Sequence, residues 1–371
     1  MMPKEQNLNI EPEGKRIQKT FPYFKLQGTP REIGRQYGEK CKDLIHQHLH
    51  YSISRLKERV EINSKIIKEK VLSYQEYVLQ YAPFFDEEIR GVAEGAGITL
   101  DEAYLLQLRA EIYEDLDASL ECTTFAYKEE ASCDQIPLIG QNADLPDFYS
   151  DIGVILEIIP NEGPSILMLT PAGQVSYIGI NDQGLGVFAN FLTCDEWRIG
   201  FPRYLTSRLA LTQRTVNDAS SLLSSVYRAS SRNLIMLDAE NNILDLETTA
   251  TALLPLHANN GILAHANHYL KDELLSEERL PGIFFKNSQV RQERINELLE
   301  EHNGALDMKK VMEVFRDRET YPHCLSRIRS DIKNSDVITF ASVIASPSTG
   351  EIWVAAGPPH LYEYKRYTFS S

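Results

Sequence analysis

Cysteine is scarce in this chain of 371 residues. Five cysteines occur, at positions 41, 122, 133, 194 and 324, and none has the spacing of a zinc site or of a Cys-x-x-Cys redox motif. Their small and odd number is typical of a protein in a reducing cytoplasm, where cysteines remain thiols. Three histidines at 46, 48 and 50 lie on a predicted helix, but no carboxylate is spaced to complete a metal site. We therefore predict no bound metal.

Basic residues and long apolar runs are also few. The 38 Lys and Arg residues are outnumbered by 53 Asp and Glu, which gives a net charge of −15. This balance argues against nucleic acid or an anionic membrane as the main partner. No apolar run approaches the roughly 18–20 residues that cross a bilayer. The first twenty residues are polar and lack the apolar segment of a secretory signal, so we expect a cytoplasmic protein.

The hydrophobic pattern changes near residue 120. Before it, apolar residues recur at helical spacing in a long helix after Thr29 and in helices near 67–81, 86–94 and 99–113. After it, short apolar runs alternate with Pro, Gly, Asn and Asp turns and predict strands. Helices return near 203–228 and 288–317, ahead of the last strands. This order predicts an α+β fold in layers, and because no linker is visible we expect one domain over residues 1–371.

Polar and reactive groups are concentrated in two neighbouring predicted strands. The first is Glu-Cys-Thr-Thr-Phe-Ala-Tyr, which places Cys122 near the start of a strand. The second ends in Gly-Gln-Asn-Ala-Asp at residues 140–144. Two adjacent strands would thus bring a thiol, an amide and a carboxylate into one small region. These are the groups that nucleophilic catalysis requires.

The two motifs resemble those of the acyl-coenzyme A:6-aminopenicillanic acid acyltransferase (isopenicillin N acyltransferase-like) family of N-terminal-nucleophile (Ntn) hydrolases. The resemblance implies a four-layer αββα sandwich and a precursor that cuts itself before the cysteine. The implied cut is Glu121–Cys122, which gives a helical small subunit, 1–121, and a catalytic subunit, 122–371. The family's fungal enzyme has glycine where this chain has Glu121, so a longer side chain must be accommodated at the cut.

The same resemblance assigns candidate catalytic residues. Cys122 would be the nucleophile, and Asp144 would hold its ammonium group or the arginine of the site. Asn267, in Ala-Asn-His, would donate to the oxyanion, a contribution typically worth about 2.7–4 kcal/mol. Arg327, which follows a Tyr-Pro segment, is favoured over Arg329 as the arginine of the site.

Further residues follow from the resemblance with less defined roles. Glu121 and Thr124 are assigned to precursor processing. Asn142, Ser230 and Ser231 are candidates for substrate binding. No cofactor is implied, although acyl-CoA could serve as a co-substrate. The cleaved subunits would form a heterodimer, and association of whole copies is left open.

The implied chemistry has a physical basis in the α-amine of an N-terminal cysteine. An α-amine has an intrinsic pKa of about 8, below that of lysine. It can take the thiol proton directly or through one water, and the resulting thiolate attacks an acyl carbon. Hydrolysis and acyl transfer then differ in whether water or an amine resolves the acyl-thioester on Cys122. The expected substrate is therefore a small acyl amide or acyl thioester.

Two other functions remain open at this point. The chain could be an uncleaved, non-catalytic member of the family that binds acyl compounds. It could also be a conventional cysteine hydrolase that needs no chain cut, with Cys122 paired to His268 or His323. A mid-chain cysteine taken alone is more often an inert apolar group than a nucleophile.

Overall fold

Local sequence signals set the helix boundaries of the computed structural model, which describes residues 15–59, 63–113, 121–194, 196–333 and 335–370. The helices predicted after Thr29 and from 99 begin with capping boxes, in which the Thr29 and Thr99 side chains accept from the backbone N–H three residues later. The helices are α1 Pro30–Lys40, α2 Lys42–Arg59, α3 Ser64–Tyr81, α4 Pro83–Ala96, α5 Leu100–Gln107, α6 Arg109–Tyr113, α7 Thr206–Ala210, α8 Val216–Ser225, α9 Gly282–Glu301 and α10 Met308–Phe315.

The strands form two sheets. Their bounds are β1 Tyr23–Gly28, β2 Glu121–Tyr127, β3 Leu138–Pro146, β4 Gly153–Pro160, β5 Ile166–Pro171, β6 Ile178–Asn181, β7 Leu185–Asn190, β8 Arg232–Asp238, β9 Ile243–Thr248, β10 Leu253–Leu256, β11 Ile262–His265, β12 Val337–Ser346, β13 Glu351–Ala355 and β14 Lys365–Thr368. One sheet has the order β1-β4-β5-β6-β7-β8-β9-β10 and the other β11-β2-β3-β12-β13-β14. The pair β1–β4 is parallel, and the other paired strands of both sheets are antiparallel.

The two sheets pack face to face, with helices on both outer sides. Strands β2 and β3 contact β7 and β8 across the interface. Helices α1, α7 and α8 contact strands of the eight-stranded sheet, and α9 and α10 contact the six-stranded sheet. The predicted four-layer αββα sandwich is therefore confirmed. In the described part of the chain, every helix is too short or too polar to cross a membrane.

Close packing of α1 on α4 explains the glycines at 91 and 95. A Cβ on Gly34 would lie 1.9 Å from the Glu88 carbonyl oxygen, and one on Gly91 would lie 2.3 Å from the Arg31 carbonyl oxygen. Such distances exclude any side chain, so glycine is required where the two helix backbones meet. These glycines have a packing role in the helical segment that precedes β2.

Two expected helices differ from their predicted bounds, and one strand was not predicted. The helix after Thr29 is interrupted at Cys41, which ends α1 and separates it from α2. The helix expected over 203–212 is a short 3₁₀ turn followed by α7. Strand β10 was not predicted because it contains Pro255, which lacks a backbone donor and normally argues against a strand. Its position at the sheet edge removes that objection.

Candidate active site around Cys122

The six-stranded sheet positions Cys122 near the start of β2. This strand is flanked by β11 and β3, and Cys122 pairs in register with Ala143 of β3. The residue is buried, with 4% of its surface exposed. The peptide bond joining it to Glu121 lies opposite the Ala143–Asp144 segment. The proposed cut is thus held by strand pairing, while the Glu121 side chain lies outside the described residues.

Two side chains bind the backbone of Cys122. Its N–H donates to Asn267 Oδ1 at 2.7 Å, and its carbonyl oxygen accepts from Arg291 Nη1 at 2.5 Å. Arg291 also donates to Asn267 Oδ1 at 2.9 Å. Because both partners of Oδ1 can only donate, the orientation of the Asn267 amide is fixed, and its Nδ2 donates to the Phe191 carbonyl oxygen. Asn267 therefore acts here as an acceptor for the nitrogen of Cys122.

Arg291 is a residue of the site that the sequence analysis did not identify. It is fully buried on α9 and also donates to Thr123 Oγ1 at 2.7 Å and to Asn287 Oδ1 at 2.7 Å. A signal for it exists in the sequence. Arg291 lies four and eight residues before Ile295 and Leu299, which are buried on the same helix. A charged residue in line with an apolar stripe indicates a buried ion or hydrogen-bond site rather than a solvent-exposed helix face.

The environment of the Cys122 thiol opposes its ionisation. Burial raises the pKa of the thiol, and the negative charge of Asp144 raises it further. A hydrogen bond from the Asp144 backbone and the positive charge of Arg232 act in the opposite direction without reversing the shift. Asp144 itself accepts from Thr339 Oγ1 at 2.6 Å. At neutral pH the thiol therefore needs a base before it can act as a nucleophile.

Thr124 and Asn190 join the two sheets beside Cys122. Asn190 Nδ2, at the end of β7, donates to Thr124 Oγ1 at 3.1 Å and to the carbonyl oxygens of His265 and Ala266 at 2.7 Å each. Gln141 makes a second link, because its side-chain amide exchanges hydrogen bonds with the backbone of Ala189. These contacts fix the separation of the sheets at the site.

A buried charged cluster supports the segment that carries Asn267. His265 Nε2 lies 2.8 Å from Glu247 Oε1, and its Nδ1 lies 3.0 Å from the Ala266 carbonyl oxygen. Burial alone would lower the pKa of His265, but the charge of Asp245 and the bond to Glu247 outweigh it and raise that pKa to about 9. His265 is therefore an imidazolium at neutral pH, two residues before Asn267.

Comparison with protein families identifies the family of this chain. Residues 129–361 match the family model described as acyl-coenzyme A:6-aminopenicillanic acid acyl-transferase, which is well over half of the chain. The protein belongs to this family. The predicted resemblance is thus confirmed. The matched range covers Asn267, Arg291 and Arg327 and begins after Cys122.

A curated relative with the name of this acyltransferase family also matches most of the chain. The acyl-coenzyme A:6-aminopenicillanic-acid-acyltransferase 40 kDa form of Emericella nidulans is 26% identical over 311 residues, which is 83% of this chain and 85% of the relative. Among solved structures, penicillin V acylase from Agrobacterium tumefaciens aligns over 63% of this chain and 83% of its own at 12% identity, with a TM-score of 0.45. A variant of conjugated bile acid hydrolase from Clostridium perfringens aligns over 67% and 97% at 13% identity, also with a TM-score of 0.45.

The other residues predicted from the acyltransferase family are spread around this site. Asn142 faces the α9–α10 layer, where its Nδ2 donates to the carbonyl oxygens of Phe315 and Leu325. Ser231 donates to the Leu192 carbonyl oxygen at 2.5 Å, whereas the buried Ser230 hydroxyl has no hydrogen-bond partner. The structure thus leaves Ser230 available for a ligand and uses the side chains of Asn142 and Ser231 in internal bonds.

Arg327 is linked to Asp144 through Thr339, and it is not the arginine that binds the Cys122 backbone. Its backbone N–H donates to Thr339 Oγ1 at 2.9 Å, and Thr339 in turn donates to Asp144. Its guanidinium donates to Ser335 Oγ at 2.8 Å. Arg291 is the arginine in contact with Cys122, and the catalytic role predicted for Arg327 stays a prediction.

Neither histidine considered as a base is hydrogen-bonded to Cys122. His268 Nδ1 contacts Ser288 Oγ at 2.7 Å, and burial lowers the pKa of His268 to about 4. His323 Nδ1 contacts Asn287 Nδ2 at 2.9 Å. Asn287 and Asn267 thus belong to the network around Arg291, which ends at the backbone of Cys122. Within the residues that the structure describes, neither of these histidines forms a conventional hydrogen-bonded pair with Cys122.

Proposed function

We propose that this family member is a self-processing enzyme in which Cys122 becomes the N-terminal nucleophile of the 122–371 subunit. In this proposal the enzyme cleaves or forms acyl amide bonds through an acyl-thioester on Cys122. The observation that carries it is the 2.7 Å contact between the Cys122 nitrogen and Asn267 Oδ1. A carbonyl oxygen fixed by two donors is a suitable acceptor for the α-amine that chain cleavage would create.

The raised pKa of the thiol supports the same assignment. A buried thiol with no hydrogen-bonded histidine requires another base, and the α-amine on the same residue is the nearest candidate. With Asn267 accepting one amine hydrogen, the lone pair of the neutral amine is left to accept the thiol proton, directly or through water. The buried imidazolium of His265 would hold the Asn267 segment in place during this transfer.

Self-cleavage would use the same sulfur atom. The Cys122 sulfur attacks the carbonyl carbon of Glu121, a C–S bond forms, and the C–N bond of the peptide breaks as the thiol proton passes to the leaving nitrogen. Water then hydrolyses the thioester, which releases the Glu121 carboxylate and regenerates the thiol. Arg291 binds the Cys122 carbonyl oxygen throughout and would keep the reacting residue in register.

Turnover of substrate would repeat these steps on an external acyl group. The thiolate attacks the acyl carbon of an amide or thioester, the amine or thiol leaves with a proton, and water or a second amine resolves the acyl-enzyme. The name of the Emericella nidulans relative indicates that acyl-coenzyme A is a substrate of that protein. We accordingly include acyl-CoA as a co-substrate in the proposal.

Intact mass measurement and a denaturing gel of the purified protein test the proposal. The expected result is two fragments with the masses of residues 1–121 and 122–371. Cys122→Ala should give one uncut, inactive chain, while the matched control Cys133→Ala, at an exposed cysteine, should cleave normally. One intact chain with activity would favour a conventional cysteine hydrolase. One intact chain without activity would favour an acyl-binding homologue.

A further inference from the structure

Arg232 differs from the other buried arginines near the two-sheet interface in how its donors are used. Arg208 makes a bidentate pair with Glu88, and Arg291 makes four hydrogen bonds. Arg228 has no carboxylate partner but donates to several backbone carbonyls. Arg232, with 3% of its surface exposed, makes one side-chain hydrogen bond within the described residues, a long one of 3.5 Å to the Ala189 carbonyl oxygen.

The unused donors of Arg232 lie beside the nucleophile. Its Nε has no hydrogen-bond partner, and in the described ranges no carboxylate is paired with its guanidinium. Arg232 Nη2 contacts the Ala189 carbonyl oxygen, which also accepts from Gln141 Nε2 on the strand paired with that of Cys122, and β8 contacts β2 across the sheet interface. The positive charge of Arg232 acts to lower the pKa of the Cys122 thiol. The hydroxyl of Ser230, two residues earlier and 1% exposed, is also without a partner.

A second arginine and several aromatic rings complete this environment. The Arg203 guanidinium lies 4.9 Å from the ring centre of Phe191 and 5.6 Å from that of Tyr204. Arg232 lies 4.9 Å from the ring centre of Tyr204. The two guanidinium groups therefore lie near the same tyrosine ring. Burial lowers the pKa of Arg232, and the positive charge of Arg203 lowers it further. Burial of the incompletely paired Arg232 guanidinium is unfavourable, and binding of an anion would offset this cost.

We propose that Arg232, with Ser230 and the adjacent Arg203, forms a subsite for the carboxylate group of the substrate next to Cys122. The inference rests on the proposed function, in which Cys122 attacks an acyl carbon. It narrows the substrate to acyl amides in which the part beside the scissile bond is a carboxylic acid, as in an N-acyl amino acid. A guanidinium fork matches a carboxylate with two parallel hydrogen bonds.

Either a phosphate of acyl-CoA or a carboxylate of the substrate could supply the negative charge at Arg232. A phosphate of acyl-CoA is separated from the thioester by the whole pantetheine arm, so it would not reach a buried group beside the nucleophile. The carboxylate of an N-acyl amino acid is only two bonds from the amide nitrogen. The 6-aminopenicillanic acid in the name of the Emericella nidulans relative likewise carries both an amine and a carboxylate. The position of Arg232 thus favours a carboxylate.

Alkylation of the native protein by iodoacetate and iodoacetamide tests the subsite without knowledge of the substrate. The two reagents have nearly the same size, and only iodoacetate carries a carboxylate. Rates at Cys122 and at the exposed Cys133 are read from the same digest by mass spectrometry. The iodoacetate-to-iodoacetamide rate ratio should be at least about tenfold higher at Cys122, the effect of one charge-assisted hydrogen bond.

Variants connect that preference to Arg232. Arg232→Gln should remove the preference at Cys122, and Arg214→Gln, which deletes an exposed charge, should leave it unchanged. If Arg232→Gln does not fold, Arg232→Lys keeps the charge and should keep part of the preference. Equal ratios at the two cysteines, a preference that survives Arg232→Gln, or failure of both reagents to label Cys122 would each overturn the inference.

Substrate pairs separate this inference from the proposed function. Wild-type enzyme should hydrolyse an N-acylglycine with a higher kcat/KM than the matching N-acylglycinamide, and Arg232→Gln should abolish that difference. If Arg232→Gln loses acyl-CoA turnover but keeps its activity on N-acylglycine, the subsite would be reassigned to phosphate. That result would contradict the proposed carboxylate subsite. The proposed function is judged separately, by whether residue 122 is a new N-terminus and whether Cys122→Ala is inactive.

Discussion

Glu88 and Arg208 form a buried bidentate ion pair across the two segments that flank the proposed cut. Arg208 Nη1 and Nη2 lie 2.6 and 2.8 Å from the two carboxylate oxygens of Glu88, and their side chains are 5% and 1% exposed. Glu88 belongs to the helical 1–121 segment and Arg208 to the 122–371 segment. If the chain is cut after Glu121, this pair becomes a contact between subunits.

Removing one partner of that pair should destabilise the protein strongly. Glu88→Ala leaves the Arg208 guanidinium buried without its carboxylate, which typically costs about 3–5 kcal/mol. Urea unfolding should be measured in the Cys122→Ala background, so that every chain is uncut. The control Glu87→Ala breaks a pair with Arg31 in which Glu87 is 52% exposed, and it should cost less than about 1 kcal/mol. Equal effects would contradict a buried role for Glu88.

The two cleaved segments should remain together under native conditions. Strand β1 of the first segment pairs in parallel with β4 of the second from Tyr23 to Gly28, which adds a row of backbone hydrogen bonds to the ion pair. Size-exclusion chromatography of the cleaved protein should give one species containing both fragments. Their separation without denaturant would show that the packing is weaker than this sheet geometry requires.

Asn267→Ala should slow catalysis without unfolding the protein. The substitution removes the acceptor for the Cys122 nitrogen, so this nitrogen and the Arg291 guanidinium each lose a buried hydrogen-bond partner. Leaving a buried donor unsatisfied costs about 1–3 kcal/mol of free energy. We expect kcat/KM to fall about 10- to 100-fold in protein that has already been cleaved. Asn303→Ala, at an exposed side chain, is the matched control. Activity equal to wild type would exclude the contact from the mechanism.

Arg291→Lys should impair both cleavage and turnover although the charge is kept. A lysine has a single nitrogen and cannot reach Cys122, Asn267 and Asn287 together as the guanidinium does. Cleavage is followed on a denaturing gel after expression, and turnover with an N-acyl amino acid. Arg294→Lys, on the same helix in a partly exposed ion pair with Asp317, should behave as wild type. Normal cleavage in both variants would rule out positioning by Arg291.

Stability should fall as the pH rises through the titration of His265. Its pKa is raised to about 9 in the folded chain, from about 6.5 when unfolded. The stabilisation is therefore fully present below about pH 6.5 and is lost as the pH approaches 9. Asp245 and Glu247 face His265, and their charges maintain the shift. Urea unfolding of the Cys122→Ala chain between pH 6.5 and 9 should show this slope, with a difference of about 2–3 kcal/mol.

His265→Gln provides the comparison for that measurement. The glutamine keeps a hydrogen-bonding side chain but does not titrate, so its stability curve should be flatter over the same pH window. Among the other histidines, His268 interacts electrostatically with His265, but burial lowers the pKa of His268 to about 4, below this pH window. Identical slopes for the two proteins would mean that His265 does not carry the proton.

Local signals determined the larger part of the fold. The boxes Thr29–Glu32 and Thr99–Glu102 begin α1 and α5 as predicted, because each satisfies free backbone N–H groups within four residues. Alternating apolar runs predicted β2 and β3 and placed Cys122 and Asp144 on adjacent strands. Strand β10 and the break at Cys41 escaped prediction because sheet-edge position and helix packing are not local properties.

The sequence by itself determined the family, the candidate nucleophile and the neighbouring motifs, since these depend on residue types and short spacings. Only the tertiary structure decided which side chains meet. Arg291 reaches Cys122 across 169 positions and Asn267 across 145, so no local pattern encodes either contact. No local pattern indicates the role inferred for Arg232 either, because that role rests on donor groups that the folded chain leaves without partners. Such contacts arise when α9 packs on the six-stranded sheet and the two sheets close on each other, and burial then decides which charges must be paired.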